Sequence, residues 1–235
     1  MNKFAIIALA FGIVATANAT IITQWDFNFG NDASTATGTT NPVVGAGVAS
    51  TFGGITTSFS SGDANGGSTD PNVGDDSGWQ TTGYTAQGIG SGTAGVGFAV
   101  STVGFDAIIV TFDTRHSNTS SRFVGLDYTL DGGATWTSFQ TYEATLGGDK
   151  WHNDRTADLS GVGGASNNAS FGVRMVTVFA PGTSGYVAST STATYAGTGT
   201  LRYDMVTVNG TAVPEPATLV ALGIGAFAAL RRRKR

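Results

Sequence analysis

The chain has 235 residues, 35 of them Gly, with 12% charged residues, 40% hydrophobic residues and no Cys. Glycine costs roughly 1 kcal/mol per helix-interior position relative to Ala, which excludes a long helical bundle; the missing Cys removes disulfides, thiolate metal sites and Cys nucleophiles. A net charge of −4 is the wrong sign for a nucleic-acid partner, which needs a basic face to displace counterions.

At the N-terminus, Met1-Asn2-Lys3 precedes an apolar run over 4–15 and then Ala17-Asn18-Ala19. A short positive start, a brief apolar helix and small residues flanking a cleavable bond make a secretory signal peptide over 1–19. Ala17 and Ala19 mark the cleavage site, signal peptidase is the implied partner, and the mature chain is expected to begin at Thr20. The apolar run is shorter than the ~20 residues a helix needs to span a bilayer.

The region 20–212 shows no helical periodicity. Runs rich in Val, Ile, Thr and aromatics, separated by Gly, Asn, Asp and Ser, predict strands over 21–29, 96–102, 107–113, 123–130, 135–142, 171–179 and 201–208. Trp25, Phe27 and Phe29 alternate with Asp26 and Asn28, and Ile108, Val110 and Phe112 alternate with Thr111 and Asp113. In a sheet with one wet face, the first set of each faces the core. Segments 31–54, 60–78 and 182–200 read as long loops, the first two with room for one strand each, and are the first places to seek a binding surface. The expected fold is all-β: one antiparallel two-sheet sandwich of jelly-roll type, with an N-terminal signal helix and a C-terminal hydrophobic helix.

Within the second loop, Asp63, Asn65, Asp70, Asp75 and Asp76 crowd together hard oxygen donors of the type calcium binds. The spacing is not that of an EF-hand, because no Gly stands sixth and no Glu twelfth from Asp63. A solvated turn is the plain reading and a structural calcium the alternative; no other cofactor is expected. Trp79, Tyr84, Trp151, Tyr186 and Tyr195 flank loops and are candidates for stacking on sugar rings, against the plainer reading of packing.

Catalytic readings find little support. His116 and His152 read as exposed strand-end or loop residues, and no G-x-S-x-G elbow supplies an activated serine. No closely spaced His pair suggests zinc. Glu143 is the only glutamate in 20–212, so the carboxyl pair of a glycosidase would have to use Asp. We therefore assign no catalytic residue and no metal ligand from sequence.

The most distinct local motif is Thr129-Leu130-Asp131-Gly132-Gly133-Ala134-Thr135-Trp136. Asp-Gly-Gly suits a tight hairpin whose residues need positive φ, with Asp131, Gly133 and Thr135 shaping the turn and Trp136 expected to anchor the returning strand in the core. The segment resembles the Asp-box, a folding element repeated in sialidase propellers. A single copy does not make a propeller, so the resemblance implies a structural role.

At the C-terminus, Pro214-Glu215-Pro216 is followed by an apolar stretch over 217–230 and the cluster Arg231, Arg232, Arg233, Lys234 and Arg235. The prolines start the apolar helix sharply, and the cations hold its end in the cytoplasm. This ordered trio over 213–235 resembles the PEP-CTERM sorting signal of Gram-negative bacteria that make exopolysaccharide. The resemblance implies transient membrane anchoring and a membrane-embedded exosortase that recognises the motif and cuts near it. The body resembles jelly-roll domains that carry such tails, through Trp25-Asp26-Phe27, the stretch 124–139, Asp158-Leu159-Ser160, Phe171-Gly172-Val173-Arg174 and Arg202-Tyr203-Asp204-Met205-Val206. Six of the twelve basic residues fall in the two address segments, so the exported body keeps six cations against fifteen acids. The expected protein is a non-enzymatic component of the cell surface or extracellular matrix, associated with exopolysaccharide and biofilm. A carbohydrate-binding module of the envelope is the alternative and a secreted hydrolase the third reading.

Overall fold

The computed structural model describes residues 19–145 and 147–214. Its strands, in chain order, are β1 (Ala19–Trp25), β2 (Gly47–Phe52), β3 (Thr56–Ser61), β4 (Ser77–Thr82), β5 (Gly95–Val100), β6 (Phe105–His116), β7 (Phe123–Thr129), β8 (Thr137–Glu143), β9 (Lys150–Asp158), β10 (Phe171–Thr177) and β11 (Leu201–Ala212). One sheet runs β3-β4-β11-β6-β9, with β1 also paired to β11; the other runs β2-β5-β10-β7-β8. Every pairing is antiparallel. From β4 to β11 the orders β4-β11-β6-β9 and β5-β10-β7-β8 are those of an eight-stranded jelly roll; β2 and β3 extend its edges, and β1 pairs with β11 beyond the stretch of β11 that pairs with β4.

Alternation builds the core, as the sequence suggests. Ile108, Val110 and Phe112 of β6 meet Val96, Phe98 and Val100 of β5, and Val173 and Met175 of β10, between the sheets. Trp25, Phe27, Trp79 and Phe98 form its aromatic centre, with Trp25 and Phe98 rings 4.9 Å apart and Phe27 stacked on Trp79 at 5.6 Å. Such pairs add about 0.5–1.5 kcal/mol each beyond their burial.

Phe29 departs from the expected pattern. β1 ends at Trp25, Phe27 takes φ +58°, and Phe29 emerges 58% exposed. The left-handed residue breaks the two-residue alternation that had placed Phe29 inside. β9 lies where no strand was expected, and β3 and β4 flank the 62–76 loop rather than lying within it. The expected helices lie outside the described residues, as do Ala17, Glu215, Pro216, Arg231, Arg232, Arg233, Lys234 and Arg235. Among the described residues, no helix is long and apolar enough to cross a membrane.

The first and last described strands lie side by side. Ala19 pairs with Thr211 across β1 and β11, and the Val213 amide donates to the Gly104 carbonyl at 2.8 Å. The segments before Ala19 and after Pro214 therefore leave from neighbouring strand ends.

Candidate functional site

Two surfaces and one interior end of the sandwich carry the chemistry. The outer face of the five-stranded sheet presents small residues, Gly95, Gly97 and Ala99 from β5 and Gly172 from β10, because their neighbours Val96, Phe98, Val100, Phe171 and Val173 point into the core. The missing side chains leave a groove of about 500 Å³ whose lining includes Ser50, Phe52, Gly97, Ala99, Thr129 and Trp136. The Phe52 ring lies over Gly97, where a Cβ would collide with it. Phe52 and Trp136 meet edge to face at 5.6 Å, and the Arg174 guanidinium sits 4.7 Å from the Trp136 ring centre while its Nε donates to Asp127 at 2.8 Å. Trp136 is thus half-buried on the outer face and not in the core, because the hairpin turns its side chain across β2 and β10.

The hairpin itself is closed by Asp131. Its carboxylate accepts from the Thr135 hydroxyl at 2.6 Å, the Thr135 amide at 2.9 Å and the Thr129 hydroxyl at 2.7 Å. The Thr135 hydroxyl above all holds the Asp131 carboxyl down at about 2. Gly132 and Gly133 take φ +74° and +95°, and the Gly133 amide donates to the Thr129 hydroxyl at 2.9 Å.

The outer face of the six-stranded sheet is covered by the loop between β3 and β4. The Trp151 indole donates to the Ala64 carbonyl at 2.9 Å, and the Asn153 amide to the Gly67 carbonyl at 3.0 Å. Thr69 donates its amide and hydroxyl to Asp113 Oδ2 at 2.6 and 2.7 Å, while the Asp154 amide donates to Oδ1 at 2.8 Å. This loop was expected as a solvated turn, yet it buries Asp70 and Asp76. It sets them beside Asp204 of β11, with one ligand oxygen of each within 4.8 Å of the others. A bulge in the β11 pairing and φ +46° at Met205 accompany the position of Asp204. Asp70 is held by the Asn28 side-chain amide and the Asn72 backbone amide, both at 2.8 Å, and the Asn28 carbonyl oxygen accepts from the Ser77 amide at 2.7 Å. Burial and the facing Asp76 push the Asp204 carboxyl well up; burial brings Asp76 to about 6. Of the other acids of the loop, Asp63 accepts from the Gly74 amide at 2.8 Å and Asp75 from the Ser34 amide at 3.2 Å, while Asn65 is exposed.

The two histidines are buried, contrary to the expectation of exposed positions. The paired ends of β6 and β9 carry both inward, with the rings 5.3 Å apart. His116 Nδ1 donates to the Ser121 carbonyl at 2.9 Å. Burial first, and the Arg155 charge second, hold His116 well below its usual value and His152 at about 4. The aromatics considered for sugar stacking also pack inside: Trp79 and Tyr84 in the main core, Trp151 under the loop, and Tyr186 on Tyr195 at 4.4 Å in a second cluster. Asp204, Phe52 and Arg174 were not singled out as site residues. Asp204's one sequence signal is an acid between Tyr203 and Met205 in an otherwise strand-forming run.

Residues 212–234 match the PEP-CTERM protein-sorting motif. No curated protein sequence matches the chain. Among solved structures, the fold is similar to the N-terminal CBM22-1–CBM22-2 tandem domain of Paenibacillus barcinonensis Xyn10C, at 13% identity and a TM-score of 0.49 over 82% of this chain and 50% of that one. It is also similar to the CBM22-1–GH10 modules of Clostridium thermocellum endo-1,4-β-D-xylanase 10B, crystallised with xylohexaose, at 11% identity and a TM-score of 0.47 over 85% of this chain and 30% of that one. The chain thus spans about half the length of the first and less than a third of the second.

Proposed function

We propose that this is a non-enzymatic surface protein, delivered by its PEP-CTERM tail and working among exopolysaccharides of the cell envelope or matrix. The observation that carries the reading is the sorting motif at 212–234, a signal of export and membrane processing. The fold suits removal of both address segments. They leave from adjacent ends of β1 and β11, and a cut after Ala19 removes only one residue of that pairing. Burial of His116 and His152 inside the sandwich, away from any substrate in solvent, supports a role without catalysis. Replacing Pro214, Glu215 and Pro216 together with Ala is expected to leave an unprocessed precursor in the membrane. Normal maturation and release of that variant would sink the sorting reading.

The groove favours a second reading, carbohydrate binding on the five-stranded sheet. Trp136 and Phe52 stand beside a shelf of small residues with Arg174 at its edge, a wall of aromatic faces next to space for a sugar ring. Affinity electrophoresis in a gel containing the host's exopolysaccharide should retard the protein and not a Trp136→Ala variant. Equal, unretarded mobility of both at every polysaccharide concentration would remove this reading.

A further inference from the structure

Three buried carboxylates under the β3–β4 loop have no role in sorting or in the groove. They come from distant points of the chain, Asp70 and Asp76 from the loop and Asp204 from the last strand, and each is below 8% exposed. Two of their oxygens, Asp76 Oδ1 and Asp204 Oδ2, are fully buried and have no hydrogen-bond partner. Leaving a buried charged acceptor unserved costs more than leaving a neutral one, so such atoms demand a positive partner.

The adjacent Asp113 shows what a satisfied carboxylate looks like on this face. It lies directly across from Asp204 in the β6–β11 pairing and accepts from Thr69 twice and from Asp154 once. Apart from the carboxyl that each turns toward the other, Asp204 receives only the amide of Met205, and Asp76 only the Ser68 hydroxyl. Arg202, the closest basic side chain in sequence, acts on Asp76 and Asp204 only through its charge and makes no hydrogen bond to either: its two terminal nitrogens are committed to the Ser61 carbonyl, the Ser60 hydroxyl and the Gln80 side chain. Gly62 lies so close to Asp76 that a Cβ there would collide with the carboxylate, which packs the wall tightly on that side.

We propose that Asp70, Asp76 and Asp204 bind one calcium ion, which clamps the β3–β4 loop to the outer face of the six-stranded sheet. The three donors lie within 4.8 Å of one another, close enough for one ion to reach all of them. Calcium suits the set better than magnesium, because it accepts six to eight oxygens in flexible geometry whereas magnesium demands a near-ideal octahedron and gives up its waters reluctantly. All are hard oxygens, the ligand type that calcium takes, and water completes the shell. Asn28 fixes Asp70 from the end of β1, so the ion also ties that segment to the loop.

The purified full-length protein, stripped with EDTA and dialysed free of it, tests the proposal by calorimetric titration with CaCl2 and MgCl2 and by thermal melting. The expected result is one calcium per chain, binding at least about tenfold tighter than magnesium. The melting temperature should rise by about 5–10 °C once calcium stands about 100-fold above its Kd. Asp204→Asn and Asp76→Asn should each weaken calcium binding at least about tenfold, while Asp158→Asn, at the far end of β9, leaves it unchanged. Wild-type protein with neither binding heat nor a melting shift overturns the proposal and assigns a shared proton to the Asp76–Asp204 pair. Equal affinity for magnesium overturns the choice of ion. Undiminished calcium binding in both Asn variants places the ion elsewhere and overturns the site; because the wild-type titration decides alone, a variant that fails to fold does not rescue it.

Discussion

The two outer faces of the sandwich are built from the same antiparallel ladders and behave as opposites. On the six-stranded sheet, the residues that point outward include Asp113, Asp204 and Arg202, and a long loop folds back to cover them. On the five-stranded sheet, the outward positions of β5 and β10 are Gly95, Gly97, Ala99 and Gly172, and the surface stays open beneath Phe52 and Trp136. Charge facing outward gives a loop something to bond to and hold. Small residues facing outward give a loop nothing to hold, and leave room for another molecule.

The largest expected break in this contrast comes from Asp113→Ala. It removes the acceptor of three short bonds that pin the loop and β9, and at about 1.5–3 kcal/mol for hydrogen bonds to a charge a net loss of about 3 kcal/mol is expected in urea unfolding. Limited proteolysis should then cut first within 62–76, and unaltered cleavage kinetics would show that the loop is held by other means.

Next in size is the response to acid. His116 and His152 sit between the sheets with values depressed by burial, so the unfolded chain takes up protons below about pH 6.5 that the folded chain refuses. The stability they confer is complete above that value and is lost as pH falls toward 4, at about 1.4 kcal/mol per pH unit for each histidine kept neutral. His116→Gln should flatten the decline between pH 6.5 and 4; an unchanged slope in denaturant melts would contradict the burial.

On the open face the effects on folding are smaller. Trp136→Ala removes an edge-to-face pair and a cation–π contact on a half-buried side chain, and should cost about 1–2 kcal/mol in stability. Its larger consequence is the lost retardation in polysaccharide gels. Smallest of all, Phe29→Ser should change stability by no more than about 0.5 kcal/mol, since Phe29 lies past the end of β1 on the surface. A larger loss would mean that the alternation continues through Phe27.

The sequence makes the strands of the core legible because alternation marks them directly, as with Ile108, Val110 and Phe112. It hides β9, whose Lys150-Trp151-His152-Asn153-Asp154-Arg155 run places His152 and Arg155 inward, where polar residues mask the apolar face. The acidic loop is visible as composition, yet its third carboxylate is not. Asp204 joins Asp70 and Asp76 only through the β4–β11 neighbourhood, a pairing across more than a hundred residues that no local pattern encodes. Trp136 is misplaced for a similar reason. The Asp-Gly-Gly turn shows where the chain reverses, while the face its Trp takes depends on Phe52 of β2 and Arg174 of β10, against which it packs.

The central claim is that the sandwich reaches the surface as a processed body, and the intact mass of the protein recovered from its native host tests it most directly. The account predicts a chain that begins at Thr20 and lacks the basic cluster 231–235. A protein at the cell surface with the mass of all 235 residues would contradict it.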